Sequence, residues 1–138
     1  MKPRSSDAVG SLLETGEQAS AARLYGELLR GGELSVLIYN GVFDMDCNFV
    51  GTDAWLTALT DGLVGTPYAN FSSRPRAPWT REGGKGEGGG IVAGTVRSVG
   101  KLTQVLVYGA GHLVPMDQPA AALTMVEGFV AAALGGHV

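Results

Sequence analysis

Between Asp7 and Arg30, Leu12, Leu13, Leu24, Tyr25, Leu28 and Leu29 recur at helical spacing, and Asp7 stands where a cap belongs. Gly16 weakens the middle of this stretch, so it reads as one helix or two short ones, and Gly31-Gly32 supplies the stop. The pattern then changes. Ser35-Val36-Leu37-Ile38-Tyr39-Asn40 is a nearly continuous apolar run closed by Gly41, which predicts a strand covered on both faces, as in a parallel sheet. Trp55, Leu56 and Leu59 predict a helix over 53–59 with Thr52 as its cap.

From Gly65 to Gly90 periodicity is lost. Pro67, Pro75 and Pro78 punctuate the first part and a Gly-rich run over 83–90 completes it, so 65–90 is expected to be a long irregular surface loop. Ile91–Ser98 and Leu102–Tyr108 then predict two strands, joined through Val99-Gly100-Lys101 as a hairpin. Pro119 is suited to the first turn of a last helix running to Leu134, with Leu123, Val126, Val130 and Leu134 as its apolar stripe. The division that follows is an N-terminal helical segment over 1–33, an α/β unit over 34–134, and a tail over 135–138. No internal repeat is evident.

Composition narrows the class. Glycine supplies 22 of 138 residues, over twice its usual share of about 7%. Much of that excess sits in turns and in the 65–90 loop, and there is no Gly-X-Y period, so a collagen reading fails. A hydrophobic share of 45% against 17% charged residues belongs to a globular chain and not a disordered one. The formal net charge of −3 offers no basic face for nucleic acid. The longest uncharged apolar stretches, Ala120–Val126 and Phe129–Leu134, are parted by Glu127 and fall short of the about 18–20 residues of a membrane span. Met1-Lys2-Pro3-Arg4 is followed by Ser5, Ser6 and Asp7 in place of an apolar core, so no signal peptide is expected in this chain.

Cys47 is the only cysteine, which excludes an internal disulfide, and with two histidines it argues against a closed structural zinc site. No metal and no cofactor is expected. The Gly-rich run lacks the G-x-x-x-x-G-K-[ST] order of a phosphate loop.

Two polar residues follow strand-like runs: Asp44 after the run ending at Asn40, and His112 after the run ending at Tyr108. Chemistry in open α/β sheets gathers outside the carboxyl ends of strands. An acid followed by a histidine fits the Ser…Asp…His order of α/β-hydrolases. The flanking residues are Gly41-Val42-Phe43-Asp44-Met45-Asp46-Cys47-Asn48-Phe49 with Gly51 and Trp55, and Gly109-Ala110-Gly111-His112-Leu113-Val114-Pro115-Met116-Asp117-Gln118-Pro119. Together they resemble the serine carboxypeptidases, whose segments run G-D-x-D-x-x-C-N and G-A-G-H-x-V-P. The resemblance extends over roughly 34–134 and includes the strand pair before the histidine.

It implies the C-terminal part of an α/β-hydrolase fold, a central mixed sheet flanked by helices, incomplete in this chain. It implies Asp44 and His112 as two members of a catalytic triad, and Cys47, Asn48 and Leu113 as residues beside the substrate, Cys47 as a buried free thiol. Val42 stands where the family usually has an Asp, Asp46 where an apolar residue is common, and Leu113 in place of the commoner Met. The serines are Ser5, Ser6, Ser11, Ser20, Ser35, Ser72, Ser73 and Ser98, and none sits in the G-x-S-x-G elbow. Cys47 as a substitute nucleophile lies on the same loop as the acid, not on an elbow.

The expected activity is therefore release of a C-terminal amino acid from peptides or proteins. The chain would serve as a fragment or subunit that pairs with an N-terminal chain carrying the serine, and would be inactive alone. The family implies a lysosomal, vacuolar or secreted setting, which the Asn70-Phe71-Ser72 glycosylation triplet fits. The alternatives are a non-catalytic α/β-hydrolase-like interaction domain, and an esterase or lipase fragment, which the Val114-Pro115 pair argues against.

Overall fold

The structure, a computed structural model, describes residues 22–83 and 89–135. The expected helix start at Asp7, the tip of the Gly-rich run and the tail with His137 lie outside the described residues. Helix α1 (Ala22–Gly31) ends where the sequence placed its stop, with Gly32 at a φ of 67°. Its inner side presents Leu29 and Tyr25, while Leu24 and Leu28 are exposed. Strand β1 (Val36–Gly41) follows, then α2 (Phe49–Asp61), a 3₁₀ turn (Phe71–Ser73), β2 (Ala77–Glu82), β3 (Gly90–Val99) and β4 (Leu102–Val107). A four-residue helix α3 (Val114–Asp117) leads into α4 (Pro119–Ala133).

The four strands form one mixed sheet in the order β1-β4-β3-β2, with β1 parallel to β4 and the other neighbours antiparallel. Alternation along β1 feeds both faces. Val36 and Ile38 join a core with Leu29, Leu56, Leu63, Tyr68, Phe71 and Leu102 under α1 and α2. Leu37 packs on the opposite face, where Ala93, Val105, Val107, Ala121, Ala122 and Met125 bury α4 against the sheet. This is the α/β arrangement that the apolar strand pattern implied, with helices on both faces.

Three expectations need correction. The 65–90 segment is not wholly irregular: it holds the 3₁₀ turn and strand β2. Proline obscured that strand, yet β2 is at the sheet edge, where the missing N–H of Pro78 is tolerated. Helix α2 begins at Phe49, with the Asn48 side chain accepting from Gly51 N–H at 2.9 Å, so the cap is Asn48 and not Thr52. In α4 the predicted stripe is turned outward. Leu123, Val126, Val130 and Leu134 are all exposed, and the small face of Ala121 and Ala122 with Met125 packs on the sheet. Small residues let the helix approach closely over Ala93, and periodicity alone does not say which of two apolar stripes turns inward.

A polar network under α2 fixes where the helix sits. Asp53 Oδ1 accepts from Arg76 Nη2 at 2.7 Å, Gln104 Nε2 at 2.8 Å and Arg97 Nη2 at 3.1 Å. Gln104, fully buried in β4, also accepts from Arg97 at 2.6 Å. Arg97 lies over the Phe71 ring, 4.9 Å from its centroid, and its Nη1 donates to Ser72 O. Burial, with Arg76 alongside, lowers the Arg97 pKa against the pull of Asp53. The network ties α2 to β3, β4 and the segment before β2, and so anchors the chain as it leaves the loop after β1.

Candidate active site

Because β1 and β4 are parallel neighbours in register from Val36↔Leu102 to Gly41↔Val107, their carboxyl ends open at the same rim of the sheet. Asp44 follows β1 by three residues and His112 follows β4 by five, so the topology sets two residues far apart in sequence beside each other. Backbone bonds then stitch the two loops. Val42 N–H donates to Val107 O at 3.0 Å and Phe43 N–H to Ala110 O at 2.9 Å. Gly41 permits this contact: a Cβ there would collide with the carbonyl oxygens of Gly111 and Ala110. After β4 the chain reverses through Gly109 at a φ of 69°, a conformation that glycine adopts without strain.

The Asp44 carboxylate is buried and fully engaged. Its Oδ1 accepts from the backbone N–H groups of Asp46 and Cys47, each at 3.0 Å, and its Oδ2 meets His112 Nδ1 at 3.0 Å. Burial pushes the Asp44 pKa up. The hydrogen bond to His112, the two backbone donors and the imidazolium charge together outweigh it and hold the carboxyl below its ordinary 3.8. A carboxylate that stays ionised accepts a proton bond, which selects the tautomer with hydrogen on Nδ1 and leaves Nε2 as a lone-pair acceptor. The His112 side chain is 57% exposed, and among the described residues none hydrogen-bonds Nε2. The pair is thus a buried acid holding an exposed base.

The His112 loop is braced from the other side. Gly111 N–H donates to Asp117 Oδ2 at 2.7 Å, and Gln118 Nε2 donates to Gly109 O at 3.2 Å. The short helix α3, with Val114 buried at its start, brings both residues back under the loop. Asp117 and Gln118 stand within the histidine segment of the sequence, which by itself assigns neither of them a role.

Cys47 departs from expectation. Its thiol is free and exposed, not buried. The turn that gives Asp44 its two backbone donors lifts Cys47 to the rim, where Asn40 Nδ2 donates to Cys47 O at 2.9 Å. Its Sγ lies with an Asp44 carboxylate oxygen and a His112 ring nitrogen inside a 4.8 Å cluster. Asn48 and Leu113 are both exposed, the first engaged as the α2 cap. Asp46, Cys47 and Asn48 line one side of a groove of about 360 Å³ whose apolar wall is Tyr25, Ile38 and Trp55. Asn70 is exposed in a left-handed turn at a φ of 63°.

Among the described residues no serine bonds to His112. Ser35 and Ser98 lie at the opposite end of the strands, Ser98 paired with Thr103 at 2.8 Å. Ser72 and Ser73 lie in the 3₁₀ turn beneath α2. No described helix is long and apolar enough to cross a membrane.

A family model described as serine carboxypeptidase matches residues 3–132. The chain is 36% identical to mouse lysosomal protective protein over 106 residues, which cover 77% of this chain and 20% of that protein. It is 35% identical over 126 residues to a serine carboxypeptidase family member of Dictyostelium discoideum, covering 90% and 20%. A vacuolar serine-type carboxypeptidase of Saccharomyces cerevisiae is 32% identical over 125 residues, covering 90% and 23%. The chain spans about a fifth of the length of each of these relatives.

Proposed function

The chain belongs to the serine carboxypeptidase family, and from that premise we propose that it contributes the acid–base half of a serine carboxypeptidase active site. Asp44 and His112 serve a nucleophilic serine carried by another polypeptide segment. The observation that carries this reading is the 3.0 Å contact of Asp44 Oδ2 with His112 Nδ1, which leaves Nε2 open to the rim.

The chemistry follows from that geometry. His112 Nε2 takes the proton of the serine hydroxyl as the oxygen attacks the carbonyl of the last peptide bond. Asp44 stabilises the imidazolium that forms, and its own ionisation is secured by the two backbone donors. The same Nε2 then delivers the proton to the departing amine, releasing the C-terminal amino acid, and activates the water that frees the acyl group. The oxyanion donors and the groups that hold the substrate carboxylate belong to the serine-bearing segment. Peptide and protein C-termini are the substrates. A lysosomal or vacuolar setting is supported by the names of the mouse and yeast relatives, and the exposed Asn70 is the candidate glycan acceptor.

The test is a carboxypeptidase assay of the purified chain, alone and with the serine-bearing N-terminal portion of a family member supplied as a second polypeptide. Turnover is expected only with both present, and a serine-directed phosphonate abolishes it. Phosphonate-sensitive turnover by the chain alone overturns the division of labour. A stable complex without turnover favours the non-catalytic domain.

A further inference from the structure

The loop after β1 and the loop after β4 bring three chemically different metal donors together: a carboxylate, an imidazole and a thiol within 4.8 Å of one another. We propose that Asp44, Cys47 and His112 form an open site for a thiophilic divalent cation of the zinc class, bound through Asp44 Oδ2, Cys47 Sγ and His112 Nδ1.

Three features of the site support this. The first is preorganisation. Asp44 is held by Asp46 N–H and Cys47 N–H through Oδ1 alone, which leaves Oδ2 directed at the histidine. The same turn fixes the Asp44–Cys47 spacing, and the β1–β4 register with the Gly41 contact fixes His112 against it. The second is reach. Tetrahedral zinc with bonds of about 2.0–2.3 Å separates its ligands by roughly 3.3–3.7 Å. The Oδ2–Nδ1 separation of 3.0 Å opens to this value with a small turn of the exposed imidazole. Cys47, exposed and free, closes the remaining distance by rotation about its side chain. The third is access. The site faces the rim, and exposed Asp46 adds negative charge next to the thiol.

A nitrogen, a sulfur and an oxygen donor form a set that suits zinc, cobalt or cadmium and not calcium or magnesium. Three protein ligands leave the fourth position to water. Binding releases the thiol proton, while the imidazole proton moves from Nδ1 to Nε2, so one proton leaves per cation. The cation thus takes the place of the hydrogen bond between Asp44 and His112. Occupied, the site removes the Nε2 lone pair; this consequence rests on the acid–base reading, whereas binding itself does not.

The test is titration of the purified, reduced full chain with Co²⁺, followed by Zn²⁺ competition. A thiolate charge-transfer band saturating at one equivalent is expected, reversed by Zn²⁺. Cys47→Ala and His112→Ala each weaken binding at least tenfold, and His137→Ala leaves it within twofold. Both site substitutions are at exposed positions, and circular dichroism checks that each variant is folded. An affinity unchanged by His112→Ala marks a lone thiol adduct and overturns the proposal. So does the lack of saturable binding at millimolar metal. Either failure leaves the carboxypeptidase reading standing, because no turnover is measured.

Discussion

Substituting Gly41 by alanine probes the contact on which the Asp44–His112 pair depends. The added methyl meets the carbonyl oxygens of Gly111 and Ala110, closer than side-chain carbons approach backbone. Restoring an ordinary carbon contact of about 3.5 Å moves the two loops apart by roughly 1 Å. Neither neighbour is a flexible side chain, so the shift falls on backbone stitched by the bonds of Val42 to Val107 and Phe43 to Ala110. Overpacking of this kind costs about 1–3 kcal/mol. Carried to the site, the same shift stretches the Asp44–His112 contact from 3.0 Å to about 4 Å, beyond hydrogen-bond range. Urea unfolding gives the first quantity, and the low-field proton signal of His112 Nδ1–H reports the second. The expected outcome is a lower midpoint with an unchanged slope, together with loss of that signal. A Gly41→Ala protein within about 0.5 kcal/mol of the parent, its Nδ1–H signal intact, would mean that the Gly41 contact does not hold the pair together.

Other consequences follow from the same structure. Asp44 has a folded pKa below 3.8, so its contribution to stability is complete above its unfolded value and lost as pH falls through the folded one. Unfolding midpoints measured between pH 6 and pH 2 should fall steeply below about pH 4 in the parent and less steeply in Asp44→Asn. Arg97→Ala leaves buried Gln104 and half-buried Asp53 with fewer donors, and should cost about 2–4 kcal/mol in chemical denaturation. Arg97→Lys should recover part of that loss. On α4, Met125→Ala should cost about 2–4 kcal/mol because Met125 is buried. Val126→Lys, one residue later but on the outward stripe, should stay within about 0.5 kcal/mol. The reverse order would place the helix face incorrectly.

The histidine segment was legible in the sequence because a glycine turn, a histidine and a Val-Pro pair leave few other readings. The partnership of Asp44 with His112 was legible from motif order, but its geometric cause was not. It comes from the parallel pairing of β1 with β4, whose residues are far apart in the chain. Strand β2 was hidden by Pro75 and Pro78, since local signals do not reveal that a strand is at an edge. The outward turn of the α4 stripe was hidden for a different reason. Leu123, Val126 and Val130 satisfy helical periodicity as well as Ala121, Ala122 and Met125 do, and only the partner surface decides between them. The Asp53–Arg76–Arg97–Gln104 network left no trace, because its members lie 7 to 51 residues apart without a shared motif. The family resemblance implies a buried Cys47, yet the Asp44 turn carries it to the surface.

In the proposed function His112, held by Asp44, is the base of a serine carboxypeptidase site. The most direct test of that role is a chimera in which this chain replaces the matching C-terminal portion of a serine carboxypeptidase relative, with kcat/KM measured on a blocked dipeptide. The expected result is turnover that a serine-directed phosphonate stops, and that falls by a factor on the order of 10⁴ or more in His112→Ala. A folded chimera whose turnover survives His112→Ala would contradict it.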